Sequence, residues 1–203
     1  MSSFFDRTIL QIAYNFHTVG NGAARSAQPY LGGWRRFLKD GGIRAIINLR
    51  GVHEGNFWWR QEVAACKALG LAHYDIAFNS RVLPTAEQLV HLAGFFDEAP
   101  RPVLIKCSGG QDRSSFVSAF FILHTEGWGA FDAAQAQFSR FPYLHLPKHN
   151  QRWLRHFFVY ARQMADGRPV ATWAAEFSRE HFAGWLKEHG LGDSFKRRKS
   201  EKF

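Results

Sequence analysis

The stretch that constrains this chain most is residues 103–123, where a short apolar run, a glycine-bearing loop and a long apolar run follow one another. Val103-Leu-Ile-Lys106 predicts a buried strand, and the Phe- and Val-rich residues 113–123 predict a buried helix. A strand that enters a helix through a tight loop directs backbone N–H groups at the helix N-terminus, where an anion binds. The stretch therefore predicts an anion site in an α/β fold.

The loop carries the residues of a nucleophilic site. Cys107 opens it and Arg113 closes it. A thiol above N–H donors and a helix dipole loses its proton readily and becomes a nucleophile. A guanidinium binds two oxygens of one phosphate, and the Ser114 hydroxyl can hydrogen-bond the sulfur. A lone cysteine after a strand is more often a core residue, but this combination favours catalysis. Together with Arg113, the predicted phosphate-binding residues are Ser108, Gly109, Gly110 and Gln111.

The pattern Cys107-x5-Arg113-Ser114 resembles the signature loop of the cysteine-dependent protein tyrosine and dual-specificity phosphatases. A second segment, Arg25-Ser-Ala-Gln-Pro29, resembles one near the start of bacterial and fungal members of the atypical dual-specificity branch. The resemblance implies hydrolysis in two steps with neither cofactor nor metal. Cys107 takes the phosphoryl group, an acid protonates the leaving oxygen, and water then releases phosphate. Lys106 stands where the family usually has histidine.

Two carboxylates compete for the role of the acid. In most of the family the acid is an Asp on a separate loop, but residues 79–84 contain no acidic residue. Asp75 is the nearest candidate, and it falls inside a predicted strand. Asp112 lies in the signature loop, and Cys-x4-Asp-Arg resembles the myotubularins, the Sac-type phosphoinositide phosphatases and some bacterial tyrosine phosphatases. We therefore favour Asp112 over Asp75.

The order of apolar patterns predicts an α/β fold, with a mostly parallel central sheet flanked by helices on both sides, as in tyrosine and dual-specificity phosphatases. Strands are expected at 16–19, 24–27, 45–50, 73–78 and 103–106. Helices are expected at 30–39, 57–69, from 85 onward, 113–123, 131–140, 148–164 and, as an extra C-terminal helix, 172–189. Thr85 with Gln88 predicts a capping box, and Gly70 predicts a C-cap.

We expect residues 1–190 to form a single phosphatase domain, with a core at about 15–165 and a helical extension at about 166–190. Residues 1–14 predict a short helix or arm. Residues 191–203 predict a basic, disordered tail, since the last ten residues carry five positive charges and one negative. Most such tails are solvated ends, and peripheral membrane contact through the tail is the alternative.

Ligands in such sheets collect at the carboxyl ends of the strands. The predicted ends place Arg50 and Arg81 near Cys107, and Asp75 just before one end. These three residues are candidates for the mouth of the pocket. For each arginine the alternative is an ordinary surface position.

Composition narrows the cellular compartment and the classes of binding partner that we expect. The chain has no apolar run of membrane-spanning length, no signal-peptide pattern and only two cysteines, which favours a reducing cytoplasm. The net charge of +9 favours anionic partners, but much of it lies in the tail and no aromatic-basic motif predicts a nucleic-acid partner. The second cysteine, Cys66, is interpreted as a core residue, with a disulfide to an oxidised Cys107 as the alternative.

The leading hypothesis is a phosphomonoester hydrolase of the protein tyrosine or dual-specificity type, acting through a cysteinyl-phosphate. The loop interior is neutral apart from Asp112, which favours a singly phosphorylated substrate. The expected partner is a phosphoprotein or a small phosphomonoester. A phospholipid or inositol phosphate phosphatase is the alternative, and a rhodanese-type sulfurtransferase or a non-catalytic phosphate-binding module is less favoured.

Overall fold

The computed structural model of the protein describes residues 12–30 and 33–195. These residues form a five-stranded sheet in the order β1-β2-β5-β3-β4. The β1–β2 pair is antiparallel, and the other neighbours are parallel. The strands are β1 (His17–Gly20), β2 (Ala23–Ser26), β3 (Ala45–Asn48), β4 (Ala72–Asp75) and β5 (Val103–Lys106). The predicted α/β class is confirmed.

The central strands are buried on both faces, as their unbroken apolar runs predict. Ile46 and Leu104 belong to the apolar core on one face, whereas Ile47 and Ile105 belong to the core on the other. All four side chains are fully buried. Alternation along each strand therefore divides the interior into two cores.

Helices cover both faces of the sheet. On the first face lie α1 (Trp34–Asp40) and α2 (Phe57–Leu69). On the second face lie α3 (Ala86–Glu98), α4 (Asp112–Glu126), α5 (Phe131–Ala136), α6 (Trp153–Ala165), α7 (Val170–Ala175) and α8 (Arg179–Glu188). Helix α4 is central, because residues 114–123 are all buried. Among the described helices, none is long and apolar enough to cross a membrane.

Local signals fixed several helix ends correctly. Thr85 and Gln88 form the predicted capping box before α3, and Gly70 ends α2 with a φ of 66°. The single helix predicted over 172–189 is wrong, because the segment forms α7 and α8. Ser178 has an extended backbone and its side chain accepts a hydrogen bond from the His181 N–H, so a new helix begins there.

Other predicted boundaries differ by a few residues. The helices expected at 30–39, 131–140 and 148–164 are observed at Trp34–Asp40, Phe131–Ala136 and Trp153–Ala165, the last preceded by a 3-10 turn at His149–Gln151. The strand expected at 73–78 ends at Asp75. The predicted tail began too early, because Ser194 and Phe195 are buried, and Phe195 belongs to the core. Residues 1–11 of the predicted arm and 196–203 of the tail lie outside the described residues.

Candidate active site

The loop from Cys107 to Gln111 joins β5 to α4 and is pressed against the end of β2. Gly110 has a φ of +62°, and a Cβ there would lie 2.5 Å from the backbone nitrogen of Ala27. Only glycine meets both conditions. The backbone N–H of Gln28 donates to the Ser108 carbonyl over 3.0 Å, which fixes the other half of the loop.

Cys107 lies at the bottom of the loop, where its surroundings favour the thiolate. Burial alone would raise its pKa. The Arg113 guanidinium, the Ser114 hydroxyl and the backbone N–H groups of Ser114 and Gln111 outweigh burial, so the pKa of Cys107 lies below its ordinary value. The Ser114 hydroxyl lies 3.2 Å from the sulfur and donates to it. The predicted roles of Ser114 and of the loop amides therefore have the geometry they require.

The Arg113 side chain is held by two hydrogen bonds. One guanidinium nitrogen donates to the Leu49 carbonyl over 3.2 Å, and the other donates to the Ser108 hydroxyl over 2.9 Å. The side chain is anchored at the end of β3 as well as in its own loop. A fixed guanidinium loses little conformational freedom when it binds an anion.

A buried arginine holds the loop from behind, and sequence reasoning did not assign it to the site. The Arg25 side chain is fully buried, and one of its nitrogens donates to the carbonyls of Gly110 and Gln111 over 2.7 and 3.1 Å. Asn15 Nδ2 also donates to the Gly110 carbonyl, over 2.9 Å. In a trans peptide the N–H points opposite to the carbonyl, so the bonds to the Gly110 carbonyl turn the N–H of Gln111 toward Cys107.

Arg25 keeps its charge although it is buried. Burial lowers its pKa to about 10, and this remains well above neutrality. Its guanidinium also lies 4.5 Å from the ring centre of Tyr143 and donates to Gln137 and Ser115, whereas its Nε has no hydrogen-bond partner in the described part of the chain. The segment Arg25–Pro29 resembles one in atypical dual-specificity phosphatases, and this resemblance was the available signal. A charged residue in a predicted strand does not by itself reveal which groups it contacts.

The loop opens into a cavity of about 540 Å³. Arg50 and Arg81, both predicted at the mouth, line it together with Arg113. The other lining residues are Ala77, Phe78, Asn79, Ser80, Cys107, Ser108, Gly109, Gln111, Asp112 and Gln151. Three arginines and one carboxylate make the wall suitable for an anionic ligand.

Asp75 is the predicted mouth residue that does not line this cavity. Its carboxylate accepts hydrogen bonds from Asn48 Nδ2 at 2.6 Å and from Trp59 Nε1 at 3.1 Å, and His73 Nδ1 lies 3.3 Å away. Asn48 lies in the neighbouring strand β3, Trp59 lies in α2, and His73 lies in β4 with Asp75 itself. The placement of Asp75 at the mouth is therefore corrected, because its hydrogen bonds turn it into a structural network.

Asp112 lines the cavity at the start of α4. Gln151 Nε2 donates to its carboxylate over 2.8 Å and to the Ser80 hydroxyl over the same distance. His145 Nδ1 lies 3.2 Å from the other carboxylate oxygen. Gln151 and Ser80 were not predicted as site residues. They join the site only because the turn before α6 packs against the loop after β4.

Lys106 points away from the cavity into the core on the opposite side of the sheet from Cys107. It is buried and contacts the fully buried carboxylate of Glu62, and it also donates to Gln28 Oε1 over 2.7 Å. Burial lowers the pKa of Lys106. The same Gln28 oxygen accepts from Arg50 over 3.3 Å, so Gln28 connects the buried pair to the mouth of the cavity.

No cluster of His, Cys, Asp and Glu able to hold a metal ion occurs in the described part of the chain. The two cysteines are free. Cys66 belongs to the core on the opposite face of the sheet from Cys107, and burial raises its pKa to about 12. This burial agrees with the interpretation of Cys66 as a core residue.

No protein-family model and no curated protein matches the sequence, but solved structures resemble the chain. The catalytic core of the PP-IP phosphatase SIW14 from S. cerevisiae has a TM-score of 0.55 at 17% identity, over 77% of this chain and 93% of that one. A putative phosphatase from Shewanella putrefaciens CN-32 has a TM-score of 0.54 at 15% identity, over 75% of this chain and 96% of that one. PTPMT1 has a TM-score of 0.51 at 19% identity, over 73% of this chain and 98% of that one.

All three belong to the cysteine-dependent protein tyrosine phosphatase superfamily. The chain has the fold of these phosphatases. This confirms the architecture that the signature loop implied. Helices α7 and α8 follow the segment over which the sequence resemblance was expected, and their Trp173 and Phe182 share the apolar core of the phosphatase fold.

Proposed function

We propose that the protein is a phosphomonoester hydrolase that works through a cysteinyl-phosphate on Cys107. The observation that carries the proposal is the single loop that holds a thiol of lowered pKa, a fixed Arg113 and inward N–H groups at the base of an anion-binding cavity. A phosphoryl group bound there meets the thiolate on one side and the guanidinium at its oxygens.

The residues support two steps. In the first, the Cys107 sulfur forms a bond to phosphorus while the bond to the leaving oxygen breaks, and Asp112 gives its proton to that oxygen. In the second, water attacks phosphorus, the Asp112 carboxylate takes the water proton, and the S–P bond breaks. The Ser114 hydroxyl stabilises the thiolate that leaves.

The rhodanese-type alternative is less well supported. Sulfur transfer has no need of a carboxylate beside the thiol, whereas phosphoester cleavage needs a proton donor, and Asp112 lines this cavity. A non-catalytic module would not need a lowered thiol pKa. We also propose a reducing compartment such as the cytoplasm, because the chemistry depends on a free Cys107 thiol.

The test compares phosphate release from an aryl phosphate with thiocyanate formation from thiosulfate and cyanide. We expect only the first activity. Cys107→Ser should abolish it while still binding tungstate, because the cradle remains. Arg113→Lys should lose most of it, because an ammonium cannot bind two oxygens in a fork.

Cys66→Ala is the matched control, since Cys66 is the other buried cysteine and lies across the sheet from the cavity. It should keep wild-type turnover. Appreciable phosphatase activity in Cys107→Ser, or cyanide-dependent thiocyanate formation by the wild type, would show that the proposal is wrong.

A further inference from the structure

Exposed apolar side chains gather at the edge of the sheet where the cavity opens. Nine large apolar residues in the described part of the chain are at least 40% exposed. Six of them lie in segments at this edge: Tyr30, Val52, Phe57, Phe141, Leu144 and Leu146. Such side chains scattered singly are ordinary, but a concentration around one opening marks an interaction surface.

The topology brings these segments together. Tyr30 follows the carboxyl end of β2, and Val52 and Phe57 follow that of β3. The loop of residues 139–148, which we call the rim loop, joins the same edge through the active-site loop. Asn15 Nδ2 donates to the carbonyls of both Gly110 and Tyr143. The six residues therefore lie in segments at the edge of the sheet where the cavity opens.

The rim loop divides its side chains between the inside and the solvent. Tyr143 packs on the Arg25 guanidinium and His145 is buried against Phe138 and Asp112. Phe141 is 70% exposed and Leu146 is 61% exposed. Leu144 projects at a φ of 55°, a conformation that is unfavourable for leucine, and its N–H is bound to the Arg140 carbonyl over 2.8 Å. The fold thus holds apolar groups out in water.

Charge accompanies this apolar rim. Segments 50–60, 79–82 and 139–150 together contain five basic residues and one acidic residue. The basic residues are Arg50, Arg60, Arg81, Arg140 and Lys148, and the acidic residue is Glu54. Apolar tips among positive charges complement a surface that is apolar below and anionic above.

Aromatic residues with a polar end complete the pattern. Tyr30 makes an edge contact with Trp58 at 5.5 Å, and Trp58 makes one with Phe57 at 5.1 Å. Tyrosine and tryptophan are enriched where lipid meets water, because one end of the ring system is apolar and the other is polar.

We propose that this rim binds the surface of an anionic lipid bilayer. The cavity then faces the headgroup layer, so that, given the proposed phosphatase function, the substrate is a phosphomonoester presented at that surface. Contact made by Phe141 and Leu146 requires no part of the basic tail.

The test is co-sedimentation of the full chain with vesicles of phosphatidylcholine alone or mixed equally with phosphatidylglycerol. The wild type should bind the anionic vesicles, and added salt should weaken binding. The double variant Phe141→Ser/Leu146→Ser should bind the anionic vesicles more weakly than the wild type, by a factor on the order of 10 or more. The matched control is Val90→Ser/Met164→Ser, whose residues are exposed on other parts of the surface and should change nothing.

Several outcomes overturn the proposal. These are no vesicle binding by the wild type, equal binding by the rim and control variants, or loss of binding only when residues 196–199 are replaced by serine. A rim variant that binds vesicles normally but loses kcat/KM on phosphopeptides would assign the surface to a protein instead. Hydrolysis of an aryl phosphate should be unchanged in the rim variant. If the wild type lacks that hydrolysis, the proposed function fails, whereas the vesicle result judges the rim alone.

Discussion

The partly buried His73, which contacts Glu62 and Asp75, should make the free energy of unfolding depend on pH in a defined way. His73 Nε2 lies 2.8 Å from Glu62 Oε1, and its Nδ1 lies 3.3 Å from Asp75 Oδ2. Burial alone would lower its pKa, but the bonds to Asp75 and Glu62 raise it from 6.5 to about 9. The imidazolium is therefore the form that the fold holds at neutral pH.

The size of the effect follows from this difference. A rise from 6.5 to about 9 is worth ~3 kcal/mol of unfolding free energy at about 1.4 kcal/mol per pH unit. Because the folded pKa lies above the unfolded one, this stabilisation is fully present below about pH 6.5 and is lost as pH rises through about 9. The His73→Gln variant lacks this stabilisation at every pH. The stability gap between the two proteins should therefore shrink by ~3 kcal/mol over that range.

The assay is urea unfolding followed by tryptophan fluorescence at several pH values and fixed ionic strength. Both proteins should carry Cys107→Ser, since the lowered pKa of Cys107 adds stability as pH rises and would oppose the trend. His91→Gln is the control, because His91 is exposed and has no carboxylate contact among the described residues. If the stability gap between the proteins with and without His73→Gln stays constant from about pH 6 to about pH 9.5, the charged network is refuted.

Three further predictions concern the loop and its surroundings. Asp112→Asn should lower the rate on alkyl phosphates by about 10² to 10⁴ and on p-nitrophenyl phosphate much less, whereas the same leaving-group-dependent loss in Asp75→Asn, with Asp112→Asn near wild type, would reassign the acid. Gly110→Ala should abolish anion binding and lower Tm by about 4–8 °C, because a Cβ there meets the backbone, while Gly94→Ala, which has open space, should not. After mild peroxide, mass spectrometry should find oxidation at the loop cysteine and no crosslink to Cys66, which lies on the other face of the sheet.

The sequence predicted the loop and the central strands because their information is local. Cys107, Arg113 and Ser114 occupy one continuous stretch, and the apolar runs of β3 and β5 are short and unbroken. Hydrogen bonds such as that of Ser114 to the sulfur then follow from helix geometry. Arg50 and Arg81, which were predicted from the rule that strand ends meet at one edge, line the cavity.

The support behind the loop was beyond the sequence because it depends on distant contacts. Arg25 reaches Gly110 across 85 positions, and Gln151 reaches Ser80 across 71. A polar residue in an apolar strand indicates that a hydrogen-bond partner exists but does not indicate which residue that partner is. Helix breaks such as that at Ser178 were missed for a different reason, because one cap outweighed a pattern that was otherwise continuous.

The anchoring of the loop carbonyls by Arg25 separates two tasks that a single set of residues would otherwise share. The curvature of the loop is maintained by side chains that are shut off from the cavity. Asn79 and Arg81, which line the entrance, contribute nothing to that curvature. Under the proposed function, substitutions at the entrance can therefore change which phosphoester binds while the loop around Cys107 keeps its shape. Conversely, loss of Arg25 would disturb that loop and should lower the proposed activity on every substrate alike.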